Sequence, residues 1–369
     1  MLRIMQSAEL RSTIAPVMIT FARSAIELEC FVPAWEQLAR EALEPNPFYE
    51  PWMLLPALEA FSAGQDLRIA MVWRGERLVG LFPFQRIARY KGLPAVALAA
   101  WRHPHCLLST PLVRASSARY AVDALLDATG ASVLEWSYLP AGEPFHRTLA
   151  DALAARGRRP LVSRSYERPL LRKGAATVSG QLRRRIAKNE RSLRKQGALA
   201  YVELAAQDDI GRWIDDFLHL EARGWKGRQG SAMACAEANR SYFTRTVSAA
   251  FHRGRLAACG MDLDGRPLAR RFSFLGGGAY AFKIAYDETF ADFSPGVMLE
   301  HYNVARVEAD ARIEWMDSFT DGPSLAVERM WPARRTVQTL AVGTGAWGEL
   351  AVAALPALRW LKRRVNIHA

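Results

Sequence analysis

Several features that would classify a chain of this length are absent from the sequence. No apolar run reaches the roughly 18–20 residues that a membrane-spanning helix needs. The N-terminus lacks the charged, apolar and cleavage regions of a signal peptide, so we expect a cytoplasmic protein. Only four cysteines occur, far apart and without a CxxC spacing, which argues against structural zinc and favours reduced thiols (Cys30, Cys106, Cys235 and Cys259).

Familiar catalytic motifs are also missing. There is no Walker A loop, no GxGxxG after a strand, no HExxH and no GxSxG. The three glycines at 276–278 are better explained as a connection between two strands. His103 and His105 lie close together in the sequence, but no distant partner completes a ligand set, so we expect no metal.

Positive charge is abundant. The 369 residues include 49 Lys and Arg against 37 Asp and Glu, a net charge of +12, which favours anionic partners such as CoA phosphates, RNA or an anionic membrane surface. Residues 181–197 predict a helix with seven basic residues and one Glu. This helix either holds phosphates or is simply solvated, and its lack of aromatic residues argues against binding of single-stranded nucleic acid.

Two stretches of the chain match without gaps. Residues 71–84 and 261–274 both predict a strand, a charged turn with Gly and a second strand. Five of the fourteen positions are identical: Met71/Met261, Gly75/Gly265, Leu78/Leu268, Phe82/Phe272 and Phe84/Phe274. Although two hairpins can share a pattern by chance, the match favours two tandem α/β units, at 1–165 and 170–345, followed by a basic amphipathic tail at 346–369.

The C-terminal copy is the better candidate for the active unit. Its strands carry more polar residues than those of the first copy, and polar groups among buried strands are costly unless they are used or paired. These residues are Arg270, Arg271, Ser273, Lys283 and Asp287. The N-terminal copy is then a non-catalytic scaffold or one wall of the substrate cleft.

Residues 279–299 combine a strand with a charged face and a helix start. Strict alternation places Tyr280, Phe282, Ile284 and Tyr286 on one face, and Ala281, Lys283, Ala285 and Asp287 on the other. Lys283 is a candidate to stabilise an oxyanion or hold a phosphate. Asp287 is a candidate to orient or deprotonate a nucleophile, and Tyr286 is a candidate general acid.

A helix is predicted to begin directly after this strand. Ser294 is the predicted cap and Pro295 the first helical residue, followed by Gly296 and Val297. Because the first N–H groups of a helix have no partner within it, they form an anion site. We therefore expect these four residues to bind the phosphates of a cofactor.

Two further carboxylates are candidate bases. Glu221 continues the apolar stripe of a helix predicted in 208–230, so it points inward as a general base or forms a buried ion pair with Lys226 or one of the arginines. Asp317 ends a predicted strand, as a catalytic group or a turn cap. The candidate substrate-binding residues are Trp225, Lys226 and Arg270. For Trp225, the alternative is a core anchor.

Three motifs give the sequence a family resemblance. LEARGWKGRQG (220–230), FKIAYDETFADFSPGVML (282–299) and EWMDSFTDG (314–322) resemble the CelD-like, cellulose-biosynthesis branch of the GNAT acyltransferases. That branch is similar to the FemAB-type transferases, which also carry tandem units. The resemblance implies a mixed α/β sheet in each half and an acyl-CoA co-substrate such as acetyl-CoA, although the usual glycine-rich Q/R-x-x-G-x-G/A loop is absent.

Three functions remain open. The leading one is acyl-CoA-dependent N- or O-acylation of a sugar or polysaccharide precursor. The others are a FemAB-like aminoacyltransferase using aminoacyl-tRNA, and a non-catalytic module that binds a polysaccharide or a protein partner. For the tail at 346–369, the alternatives are packing as a terminal helix or contact with the inner face of a membrane.

Overall fold

The computed structural model describes residues 17–322 and 325–365, which form thirteen strands and twelve α-helices. The strands are β1 (Val17–Ala22), β2 (Leu67–Arg74), β3 (Arg77–Ile87), β4 (Ala97–Ala100), β5 (Leu112–Val113), β6 (Val133–Pro140), β7 (Leu161–Arg172), β8 (Leu199–Glu203), β9 (Leu256–Leu263), β10 (Arg266–Leu275), β11 (Ala279–Tyr286), β12 (Trp315–Asp317) and β13 (Ala333–Gly343). The helices are α1 (Ala25–Glu29), α2 (Val32–Arg40), α3 (Pro51–Phe61), α4 (Ala118–Ala128), α5 (Pro144–Ala154), α6 (Gly180–Arg194), α7 (Ile210–Arg223), α8 (Trp225–Arg228), α9 (Glu237–His252), α10 (Pro295–Ala309), α11 (Leu325–Glu328) and α12 (Ala346–Val365).

All the strands join one mixed sheet, and its two halves have the same topology. In the first half, β1, β2, β3 and β4 pair antiparallel in order, and β4 then pairs parallel with β6. In the second half, β8, β9, β10 and β11 pair antiparallel, and β11 pairs parallel with β12. The predicted mixed α/β fold with two similar units is confirmed.

The last strand of each half crosses to the other half. Strand β7 follows the first half in the chain but pairs with β12, whereas β13 follows the second half and pairs with β6. At the centre, β7 and β13 pair with each other over a long antiparallel register. The boundary predicted between residues 165 and 170 therefore falls inside a strand that the other half shares.

Both predicted hairpins form, and in each half they occupy the corresponding place in the sheet. Gly75 and Gly265 lie in the two turns with φ of 61° and 72°, a conformation that favours glycine. The connection at 276–278 also joins two paired strands as expected, with the Gly276 N–H donating to the Gly278 carbonyl. Residues 1–16 of the predicted N-terminal unit and residues 366–369 of the predicted tail lie outside the described residues.

One hydrophobic core is common to the two halves. Phe48 from the first half stacks on Phe319, with ring centroids 4.5 Å apart, and meets Phe274 and Tyr280 edge-on. Helices α3 and α9, one from each half, pack on each other within the same core. The halves are thus held together both by backbone pairing and by aromatic packing, which allows side chains from both to meet at one site.

Candidate functional site

Strand β11 is irregular, and the irregularity rearranges the predicted charged face. Phe272 pairs with Lys283 but Ser273 pairs with Ala281, so Phe282 is an extra, bulged residue. Side chains before and after the bulge therefore change sides: Phe282 and Ala285 pack in the core next to α7 and α9, whereas Ile284 packs on the α10 side. The predicted strict alternation is wrong here because it did not allow for a bulge.

Lys283 lies where the two halves meet. Its Nζ lies 3.3 Å from Nδ1 of His105, which comes from the loop after β4 in the first half. Burial, followed by the charge of Lys226, lowers the pKa of Lys283 to about 8, and Glu221 opposes this shift. The lysine is therefore largely protonated at neutral pH but close to the range in which it titrates.

His105 is held as a neutral ring. Burial, and then the charge of Lys283, lower its pKa to about 4. Because an ammonium group can only donate, Nδ1 must accept from Lys283, which leaves the proton on Nε2. Nε2 lies 3.0 Å from Oδ1 of Asn239 on α9, so it donates to that oxygen. Lys283, His105 and Asn239 thus form a hydrogen-bonded chain across the two halves.

Aromatic rings surround this chain. Tyr242 stacks on His105 with centroids 5.8 Å apart, and Phe61 stacks on His103 at 5.1 Å. The Tyr242 hydroxyl and His103 Nδ1 are buried without a hydrogen-bond partner among the described residues. Such groups are rare in folded proteins and call for an explanation. The two histidines that the sequence offered as a doubtful metal pair are therefore part of the wall beside Lys283.

Glu221 adopts the ion-pair alternative. It is 5% exposed, its Oε1 accepts from Lys226 Nζ at 2.7 Å, and its Oε2 accepts from the Met233 N–H at 2.7 Å. Glu221 raises the pKa values of Lys283 and His105, and Lys226 lowers them. The structure thus brings Glu221, Lys226 and Lys283 into one cluster, which contains one carboxylate and two ammonium groups.

The glycine-flanked segment after Glu221 forms the short helix α8. A side chain on Gly227 would collide with the Ala222 carbonyl, which requires glycine at this position. Glu288, in the turn after β11, accepts from the Trp225 N–H at 2.7 Å and pairs with Arg228 at 2.7 Å. Glu288 therefore links its own motif (282–299) to the first motif (220–230) by a hydrogen bond and an ion pair. The Trp225 ring itself is 50% exposed, so it is not a core anchor.

The N-terminus of α10 differs in detail from the sequence prediction. The helix does begin at Pro295, but Ser294 has φ of 54° and its side chain caps no N–H. Its hydroxyl instead accepts from Arg185 Nη2 at 3.3 Å, and Asn189 donates to the Phe293 carbonyl at 2.6 Å. The predicted serine cap is wrong because the left-handed backbone turns the residue toward α6.

This contact brings the basic helix α6 to the N-terminal end of α10, the predicted anion site. All seven basic side chains of the segment are exposed, and none of them forms an ion pair within the described residues: Arg183, Arg184, Arg185, Lys188, Arg191, Arg194 and Lys195. A helix N-terminus alone binds anions weakly, but adjacent uncompensated guanidinium groups add charge and directed donors.

The sheet opens at the same place. Strand β12 pairs with β11 only at Ala279 and Tyr280, so the later residues of β11 have no strand on that side. Tyr286 lies at the open end, and its ring would touch a side chain on Gly296 at 3.2 Å. Asp287 caps the following turn by accepting from Thr289, and it lines a cavity of about 700 Å³ with Arg223, Arg266 and Phe290.

One predicted site residue, Arg270, is occupied by internal ion pairs. Arg270 is 4% exposed and forms ion pairs with Asp216 at 2.8 Å and Asp262 at 2.6 Å, so its guanidinium is not available to a substrate. Arg271 is likewise buried and paired with Glu300. The polar strand residues that suggested activity are partly explained by these internal pairs.

Asp317 is also committed to structure. It is fully buried, with Arg168 at 2.7 Å from Oδ1, Arg335 at 2.9 Å from Oδ2, and the Phe319 N–H at 2.8 Å. Arg168 lies on β7 and Arg335 on β13, the two crossing strands. The structure does not join Asp317 to the Lys283 cluster, and its carboxylate accepts too many bonds to serve as a free base.

Sequence reasoning missed four residues that shape this region. His105, Asn239, Glu288 and Arg185 all act through partners distant in the chain.

In the described part of the chain, no three His, Cys, Asp or Glu side chains converge as a metal site. The same part contains no helix long and apolar enough to cross a bilayer.

Comparison with known proteins agrees with this geometry. Residues 180–322 match the family described as the acetyltransferase (GNAT) domain, and this range contains Lys283, Glu221 and the start of α10. The match covers less than half of the chain. No curated protein is significantly similar to the chain in sequence.

Solved structures share the fold over most of the chain. The C-terminal domain of a putative lysylphosphatidylglycerol synthetase from Agrobacterium fabrum has 13% identity and a TM-score of 0.53, with 91% of this chain and 97% of that chain covered. FemX has 13% identity and a TM-score of 0.50, with coverage of 91% and 100%. L-PGS from Bacillus licheniformis has 11% identity and a TM-score of 0.51, with coverage of 88% and 96%.

These identities establish likeness of fold alone, so the family match carries the functional assignment. The match favours an enzyme over the non-catalytic module, and it contains the second-half residues of the site just described. Residues 180–322 match the acetyltransferase (GNAT) domain, and this match supports an acyltransferase.

Proposed function

We propose that the protein transfers an acyl group from acyl-CoA to an amine or hydroxyl group of a sugar or polysaccharide precursor. The observation that carries the proposal is the meeting of three features at the end of β11: the opened sheet, the N-terminus of α10 and the side chain of Arg185. A CoA thioester needs a phosphate site at one end and a path through the sheet for its acyl arm.

The donor side consists of the α10 N-terminus and the loop before it. We assign the Gly296 N–H and the guanidinium of Arg185 to the pyrophosphate of CoA, because Pro295 has no N–H and the Val297 N–H already donates to the Ser294 carbonyl. Pro295, Gly296 and Val297 supply the first helical turn, and a Cβ on Gly296 would lie 3.2 Å from the Tyr286 ring, which would have to shift slightly. The cavity of about 700 Å³ beside Asp287 has the volume of a typical ligand pocket.

The acceptor side is the Lys283 cluster. During transfer, the lone pair of the acceptor attacks the thioester carbonyl, the C–S bond breaks, a C–N or C–O bond forms, and the acceptor proton leaves to a base or to solvent. Negative charge develops on the carbonyl oxygen, where a fixed cation is most effective. Lys283, hydrogen-bonded to His105, is that cation, and the charge of Glu221 favours its protonated form while the charge of Lys226 opposes it.

The acceptor class follows from the resemblance of the three motifs to the CelD-like branch. Exposed Trp225 beside Lys226, with its ring 5.9 Å from the lysine Nζ, provides a flat apolar surface with an adjacent charge at the edge of the cleft. Such a surface suits the face of a sugar ring. We assign Trp225 and Lys226 to acceptor binding and leave Arg270 out of it.

Calorimetry with acetyl-CoA tests the donor assignment. We expect Arg185→Gln to weaken binding about tenfold, which corresponds to about 1.4 kcal/mol, because one charge-assisted contact to phosphate is lost. Arg191→Gln is the matched control: it removes the same charge from an exposed position of the same helix, and we expect less than about a twofold change. Absence of binding at millimolar acetyl-CoA would refute an acyl-CoA donor.

One observation favours a second function, transfer from aminoacyl-tRNA. The exposed basic face of α6 carries more uncompensated charge than a CoA molecule requires. Bulk tRNA should then bind with an affinity that falls steeply with salt, because each neutralised phosphate releases counterions. Binding of tRNA that Arg191→Gln weakens, together with no binding of acetyl-CoA, would select this function over the first.

A further inference from the structure

The C-terminal helix α12 presents an apolar face to solvent. Its exposed positions, where side chains are described, are Ala346, Trp347, Glu349, Leu350, Ala353, Pro356, Ala357 and Trp360. Seven of these eight are apolar. Positions 346, 350, 353, 357 and 360 follow the spacing of a single helical stripe, about 21 Å long at 1.5 Å per residue. Contiguous exposed apolar surface of this kind marks a contact site on a folded protein.

The large side chains of this face are turned outward although the helix itself is docked. Trp347, Leu350 and Trp360 are 53%, 64% and 53% exposed. The opposite face of α12 packs on the sheet through Ala351 and Leu355. Since the helix already has a packed side, its outer apolar side, where these three side chains are half or more exposed, is a second surface.

Charge identifies the kind of partner. Glu349, the one acidic residue of the exposed face, is neutralised by Arg158 at 2.7 Å. The end of the helix adds four basic residues, Arg359, Lys362, Arg363 and Arg364, with no acidic residue among them. Tryptophan and leucine next to a run of cations match an anionic lipid surface, where aromatic rings enter the headgroup region and cations meet phosphates.

We propose that the outer face of α12 docks the protein on an anionic membrane surface, with Trp347, Leu350 and Trp360 in the interface. The helix lies flat on the lipid and does not span it. This docking is independent of the acyl donor and acceptor, because α12 lies outside the GNAT-matched residues 180–322.

Flotation of the full chain with vesicles tests this proposal. We expect binding to phosphatidylcholine vesicles with about 30% phosphatidylglycerol, and roughly tenfold weaker binding to pure phosphatidylcholine. The double variant Leu350→Gln/Trp360→Gln should lose about tenfold or more in partitioning to the anionic vesicles. The matched control is Ile26→Gln, which changes a side chain that is 74% exposed on α1 and should leave binding unchanged.

Three results would overturn the proposal. The first is an absence of flotation with the anionic vesicles. The second is a double variant that binds as tightly as the wild type. The third is light scattering that reveals a dimer which the double variant converts to monomer, because the face would then lie between two copies. Circular dichroism of the variants shows that any loss of binding does not arise from unfolding.

Discussion

Lys283→Met should reduce acyl transfer by about 100- to 1000-fold in kcat, with little change in acetyl-CoA binding. The substitution keeps the length and the apolar stem of the side chain but removes the cation that faces the carbonyl oxygen, and losing one such stabilising group has an effect of this size. Steady-state kinetics together with calorimetry of acetyl-CoA measure the two effects separately. An unchanged kcat would exclude Lys283 from the chemistry.

The pH dependence of the wild type examines the same role. With a pKa of about 8, Lys283 is a cation below that pH and neutral above it. If it stabilises an oxyanion as a cation, kcat should fall as pH rises through about 8, whereas a lysine that acts as the base would make kcat rise. His105→Gln should shift this pH profile, because His105 Nδ1 accepts a hydrogen bond from the ammonium group.

The pH dependence of stability tests the lowered pKa of Lys283 independently of activity. The folded state lowers the pKa of this lysine from 10.5 to about 8, so the unfolded chain binds the proton more tightly. The wild type should therefore gain stability as pH rises between these two values, and Lys283→Met should lack this gain. We expect the variant to be more stable than the wild type at pH 7, as measured by urea unfolding at several pH values, because a costly buried charge is gone.

Asp317→Asn should lower the free energy of unfolding by about 3–5 kcal/mol, because two buried guanidinium groups lose their shared carboxylate. The matched control is Glu59→Gln, which breaks an exposed pair with Arg245 and should change stability by about 0–1 kcal/mol. Urea unfolding measures both. A loss of activity in Asp317→Asn without loss of stability would contradict the structural role and restore Asp317 as a catalytic candidate.

Local patterns were sufficient to predict much of the architecture. The Gly75 and Gly265 hairpins, the helix that starts at Pro295 and the inward position of Glu221 all follow from features within a few residues of each other. Spacing, turn glycines and a helix-starting proline act through the nearby backbone, so a single sequence exposes them. The repeated hairpins also revealed that the two halves share one fold.

The contacts around Lys283 could not be predicted from local patterns. His105 meets Lys283 across 178 positions of sequence, and the bulge at Phe282 that turns the lysine toward it leaves no mark in the hydrophobic pattern. For Arg270 the sequence prediction was wrong in the other direction. A polar residue in a strand suggested a functional role, but the structure shows that Asp216 and Asp262 pair with it. Long-range pairing decides whether a buried charge is compensated, and one sequence does not contain that information.

The crossing of β7 and β13 governs how the chain assembles as it leaves the ribosome. The N-terminal half exposes the edge of β6 until residues 333–343 have been made, since β13 is the strand that covers it. Translation at roughly 5–20 residues per second leaves that edge open for about ten seconds or longer while the second half emerges. An open strand edge invites pairing with another chain. Pairing of the sheet is thus completed only when β13 has been made, and a truncation before β13 would leave the facing edges of β6 and β7 unpaired.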